Sequence, residues 1–249
     1  DLAYGLSSWL AIETRLRLGV VAIEATFTEL DGSERTGPET GSIHHRTEVL
    51  VGPRDPWLMM RVGGKVGRFL SQARIGLTLP AGHTEPNPYA LGRQGEVHQH
   101  VQFGSGTFRP LIGASLRHGW DPVSVSLGAV SVLSLYENSH GFRAPTRLGS
   151  NVTVELSLLD GRLVPEAKFV FAYEGAGLWD GRNGNEPEFA RSVMLAGLGA
   201  TYRFSDAWRA SASVLARIAE VSDSASFDTP GQLSLTLARS FDFEARADD

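Results

Sequence analysis

Four of the seven histidines fall into two clusters, His44-His45 and His98-Gln99-His100. On an extended strand the side chains of His98 and His100 project from one face about 7 Å apart. That spacing suits two imidazole ligands to one metal ion, and His44 and His45 from the preceding loop would add a third. Imidazole nitrogen accepts copper, zinc, iron or nickel. Histidine and glutamine in such a loop serve equally well as hydrogen-bond partners of neighbouring backbone, so both uses stand open.

Nucleophilic chemistry has thinner support. Ser139-His140 and Ser105 near His100 are the serine–histidine neighbourhoods, and neither carries a nucleophile motif. Gly104-Ser105-Gly106 and Gly63-Gly64 do not lie between a strand and a helix, so they read as bulges or loop starts rather than phosphate cradles. No catalytic residue is predicted and the chain is not expected to be an enzyme. No cofactor is required beyond the divalent metal that His98 and His100 would hold.

The other chemistry-bearing residues are charges set at alternate positions. Leu10, Ile12, Leu16, Leu18 and Val20 share one face, and Glu13, Arg15 and Arg17 share the other. Trp208, Ala210, Ala212, Val214, Ala216 and Ile218 alternate with Arg209, Ser211, Ser213, Leu215 and Arg217. Val152, Val154 and Leu156 alternate with Asn151, Thr153 and Glu155, and Phe169, Phe171 and Tyr173 with Glu166 and Lys168. A period of two marks strands with one apolar face. About ten strands follow, near 9–29, 43–62, 69–80, 102–118, 123–137, 147–159, 162–175, 188–204, 208–221 and 230–243, with the end of another at 1–5. No stretch shows helical spacing with caps.

The links between strands alternate in length. Short ones fall at Gly64–Arg68, His118–Pro122, Asp160–Gly161 and Ser205–Ala207. Long ones, rich in Gly, Pro, Asn, Asp and Glu, fall at Leu30–Ser42, Pro80–Val101, Glu137–Arg147, Glu174–Pro187 and Ser222–Thr229. Short turns at one end and long loops at the other describe a transmembrane barrel, with turns in the periplasm and loops outside the cell. Aromatic residues gather at both ends, as lipid–water interfaces favour. Trp9, Phe69, Trp120, Tyr202, Phe204 and Trp208 flank the short turns. Phe27, Phe103, Phe108, Tyr136, Tyr173, Trp179 and Phe189 flank the long loops.

Composition agrees. The 249 residues carry a net charge of −5, no cysteine, 42% hydrophobic residues, and 21 Arg against only Lys65 and Lys168. No run reaches the roughly 18 apolar residues of a spanning helix, and the acidic balance argues against nucleic-acid binding. With apolar faces toward lipid, Glu13, Arg15, Arg17, Arg74, Glu155, Glu166, Lys168, Arg209 and Arg217 line the lumen. Arginine suits that lining because its charge is permanent and its fork binds carboxylates bidentately.

Three segments resemble a known family. Gly52-Pro53-Arg54-Asp55-Pro56-Trp57, Leu77-Thr78-Leu79-Pro80-Ala81-Gly82-His83-Thr84 and His98-Gln99-His100-Val101-Gln102-Phe103-Gly104-Ser105-Gly106-Thr107-Phe108 are similar to the transporter-like outer-membrane barrels of the MetA-pathway phenol-degradation type. The motifs span about residues 52–110. The resemblance implies an outer-membrane barrel, often of twelve strands, with no catalytic residues to carry over. It also implies that one strand and part of another precede Asp1, consistent with the absence of a signal peptide. Phe241-Asp242-Phe243 resembles the aromatic closing strand of such barrels, although the tail Glu244–Asp249 follows it.

The expected protein is an all-β, single-domain (1–249), up-and-down antiparallel barrel of ten to twelve strands in a bacterial outer membrane. Its expected function is a channel or transporter for a small solute. The alternatives are a structural or docking barrel that anchors an envelope or surface assembly, and a metal-binding barrel. Expected partners are outer-membrane lipid, a small solute and an envelope protein.

Overall fold

The computed structural model of the protein describes residues 1–24, 31–33, 46–182, 190–222 and 230–241. Eleven strands form one antiparallel sheet: β1 (Leu2–Gly5), β2 (Leu10–Ile23), β3 (Glu48–Val66), β4 (Phe69–Thr78), β5 (Arg109–Trp120), β6 (Val123–Val132), β8 (Arg147–Leu156), β9 (Leu163–Glu174), β11 (Arg191–Arg203), β12 (Trp208–Ser222) and β13 (Gly231–Arg239). Each pairs with its sequence neighbours, so the sheet is an uninterrupted meander. Two-residue strands β7 (Phe142–Arg143) and β10 (Leu178–Trp179) pair with each other within the long loops.

Strand formation follows from the alternation. On β2, Ile12, Leu16, Leu18 and Val20 are exposed, whereas Glu13, Arg15 and Arg17 are half-buried on the opposite face. The register carries these faces across the sheet. Glu13 stands opposite Met59, Met59 opposite Gly76, Gly76 opposite Leu111 and Leu111 opposite Val132. On the far side Leu233, Leu235 and Leu237 of β13 are about two-thirds or more exposed. Apolar side chains facing outward all around a sheet are stable only against lipid or a partner surface.

The sheet is strongly curled. One cavity of about 1010 Å³ is lined by Leu2 and Tyr4 of β1, Glu13 of β2, Arg74 of β4, Val130 of β6, Arg209 of β12 and Thr236 of β13. Arg17 of β2 also feels the charge of Arg147 of β8, five ladders away along the sheet. Such a pair meets across the concave face of the curled sheet, whose end strands β1 and β13 are not paired with each other among the described residues.

The short turns of the described residues lie at 6–9, 67–68, 121–122, 157–162 and 204–207 and the long loops at the other end, which agrees with the expected alternation. Several boundaries differ. The strand expected from residue 102 starts at Arg109, and the one expected to reach 137 stops at Val132. A short helix, α1 (Pro88–Arg93), occupies the β4–β5 loop where no helix was expected. Asn87 caps it by accepting from the N–H groups of Tyr89 and Ala90, with Pro88 at its first turn. One and a half turns are too short for a periodic signal.

The aromatic positions also divide. Trp9, Phe69, Trp120, Phe204 and Trp208 are exposed around the short-turn end, as a belt requires. At the long-loop end Phe108, Tyr136 and Tyr173 are exposed, but Trp179 is 3% exposed and packs on Phe142, with ring centroids 4.7 Å apart. Phe103 also turns inward. The expected positions Phe27 and Phe189 lie outside the described residues, as does the end of the Phe241-Asp242-Phe243 motif.

Candidate functional site

The inner face is built in two halves. Toward the short turns, acids and bases neutralise one another. Arg61 and Arg74 both donate to Glu13, at 2.5 and 2.8 Å. Arg117 pairs with Glu155 at 2.5 Å, and Lys168 donates to Glu166 at 2.7 Å. Arg15 pairs with Asp1 at 2.9 Å. The pairs at Glu13 and Glu166 are partly buried, which strengthens them relative to surface pairs because less water screens them, whereas Arg15–Asp1 is exposed.

Toward the long loops the balance tips to positive charge. Arg17 on β2 stands opposite Arg54 on β3. Arg147 on β8 bears on both Arg17 and Arg109. Two carboxylates are near. Glu174 is shared between Arg147 (2.6 Å) and Arg191 (3.0 Å), and Asp55 is turned toward a loop.

That loop runs from Leu79 to Phe108 and folds into the interior. Between Arg15 and Arg17 of β2 the register shifts, so that Asp55 and Pro56 are both inserted opposite Leu16. This bulge re-aims Asp55. Its Oδ1 accepts from Gly82 N–H at 3.0 Å, and its Oδ2 accepts from Ser105 N–H at 2.8 Å and Ser105 Oγ at 2.5 Å. Phe103 then lies over Gly19 and Gly52, a cross-strand pair on the inner face. A Cβ built at either glycine would come within 2.6 Å of the Phe103 ring. Asn138 donates to Ser105 O at 3.1 Å, and Asn87 to Asp180 at 2.8 Å, tying three long loops together.

Glu13, Arg15, Arg74 and Arg209 border the cavity itself. Arg17, Glu155, Glu166 and Lys168 make the inner-face contacts given above, and Arg217 donates to Glu220 at 2.6 Å. Two apolar clusters share the face: Met59, Leu111 and Val132, and Val193, Leu195 and Leu215.

His98 and His100 sit in the β4–β5 loop rather than on a strand, with ring centroids 5.4 Å apart. The Nδ1 of His98 is 2.9 Å from the Glu96 carbonyl, and the His100 ring stands edge-on to Tyr89 at 5.5 Å. Among the described residues no three His, Asp or Glu side chains are grouped as a metal site. His44 and His45 lie outside the described residues. Ser105 is bonded to Asp55 and to Thr107 O rather than to a histidine.

Sequence reasoning missed Arg54, Asp55, Arg109, Arg147 and Glu174. The available signal was Pro53-Arg54-Asp55-Pro56, which breaks the alternation of β3 with two prolines and a poor strand former.

No protein-family profile matches the chain, and no curated protein matches it in sequence. Its fold does have a solved counterpart. The structure is similar to the crystal structure of an outer membrane channel from Pseudomonas putida F1, with a TM-score of 0.58 and 12% identity. The match covers 94% of this chain and 77% of that one. The likeness shows a shared barrel fold. The phenol-degradation assignment gains nothing from it.

Proposed function

We propose that the protein is a passive channel of a bacterial outer membrane that admits a small solute. One observation carries this reading: an eleven-stranded meander turns apolar side chains outward and curls a charged face around a cavity of about 1010 Å³. An apolar exterior with a polar interior is the arrangement of a membrane barrel that passes water-soluble cargo. The channel named for the Pseudomonas putida protein fits the same reading. The charges of the inner face would select solutes electrostatically. Liposome swelling tests the proposal: vesicles containing the protein swell in small sugars or amino acids and stop swelling as solute size rises. Swelling no faster than protein-free vesicles contradicts it.

A docking barrel is the second reading, favoured by the Leu79–Phe108 loop, whose Phe103 occupies the inner face at Gly19 and Gly52. A stoichiometric envelope protein co-purifying with the barrel, together with impermeable vesicles, supports that reading over the channel.

A further inference from the structure

The paired charges near the short turns need no ligand, whereas the arginines near the long loops are under-compensated. Arg17 and Arg54 stand opposite each other on β2 and β3, Arg17 and Arg109 both lie within electrostatic reach of Arg147, and the carboxylates beside this group are Asp55, near Arg17 and Arg109, and Glu174, paired with Arg147. Both carboxylates are already engaged. Asp55 accepts from Gly82 and Ser105, and Glu174 is divided between Arg147 and Arg191. Arg109 is 5% exposed; one terminal nitrogen donates to the Pro145 carbonyl, while its buried Nε has no partner among the described residues. The buried Nε of Arg54 has none either. A buried donor without an acceptor destabilises the fold, and a charged one more so. A cluster that leaves two such donors in place is organised for an acceptor it does not itself contain.

We propose that Arg17, Arg54, Arg109 and Arg147 form a binding site for the carboxylate of a small organic anion inside the barrel. The guanidinium fork matches a carboxylate in shape and charge. Trp57, which lines the cavity and over which Arg15 and Arg17 lie at 5.1 and 5.4 Å, gives an organic body an apolar surface that inorganic phosphate could not use. This proposal names the solute class of the channel reading and rests on it for transport, but binding is measured separately.

Calorimetric titration of the detergent-solubilised protein with benzoate, benzamide and inorganic phosphate tests the site. Benzoate binds saturably, less tightly as salt rises, and neutral benzamide does not bind. Arg54→Gln and Arg17→Gln weaken benzoate about tenfold, Arg54→Lys weakens it less, and Arg68→Gln in the β3–β4 turn leaves it unchanged. The wild-type contrast between benzoate and benzamide needs no variant to fold. Equal binding of the two, no binding of either, or phosphate bound in preference to benzoate overturns the proposal. Benzoate binding by a barrel that does not swell vesicles keeps the site and removes the channel. Swelling without benzoate binding removes the site alone.

Discussion

Asp55 and Ser105, fifty positions apart, are joined by two hydrogen bonds, from the serine N–H at 2.8 Å and from its hydroxyl at 2.5 Å. Both residues are buried. Their contact holds the Leu79–Phe108 loop inside the barrel, so it governs how much of the interior stays open.

Replacing Asp55 with alanine removes a carboxylate that accepts three hydrogen bonds. Bonds to charged groups contribute about 1.5–3 kcal/mol each. Asp55→Ala therefore lowers thermal stability by several degrees and exposes the 79–108 segment to protease, while Ser105→Ala does less. Limited proteolysis with mass-spectrometric mapping checks this. A cleavage pattern identical to wild type would contradict the pin.

Gly19 and Gly52 leave the space that the Phe103 ring fills. Gly19→Leu should destabilise the protein by about 1–3 kcal/mol through overpacking. Adding Phe103→Ala should recover much of that loss, because the two changes share one space. Chemical denaturation of both single variants and the double variant measures the coupling. Additive losses would mean that the ring does not occupy this space.

The two faces of β13 differ in their tolerance of charge. Leu235 is 75% exposed on the outer face, and Ser234 next to it stands opposite Ser213 on the inner one. Leu235→Arg should cost about 2–4 kcal/mol of folding stability in a bilayer, and Ser234→Arg far less. Equal costs would contradict the orientation of the sheet.

The sheet was readable in the sequence because a half-apolar strand imposes a period of two, and residues such as Leu16 and Arg17 obey it strictly. Turn and loop lengths then ordered the strands. The inward loop was not readable. Its determinants are a bulge at Asp55, a glycine pair on neighbouring strands and the distant ring of Phe103, none of which produces a local period. The charges at Glu13, Arg74 and Lys168 stood out because they alternate with apolar neighbours. Arg109 and Arg147 did not, since each begins a strand where the pattern has not yet been set.

Glu13 accepts from both Arg61 and Arg74, so Glu13→Gln leaves two positive charges without their carboxylate. The variant should shift ion selectivity toward anions, read as a change in reversal potential across a potassium chloride gradient. A shift toward cations would be inconsistent with the placement of this triad in the conducting path.

The most direct test of the central claim is single-channel recording from the purified chain in planar bilayers. Wild-type protein should give discrete, reproducible conductance steps, and Asp55→Ala should give larger ones as the inward loop is released. Folded, membrane-inserted protein that gives no steps in either form would contradict the reading of this barrel as a solute path.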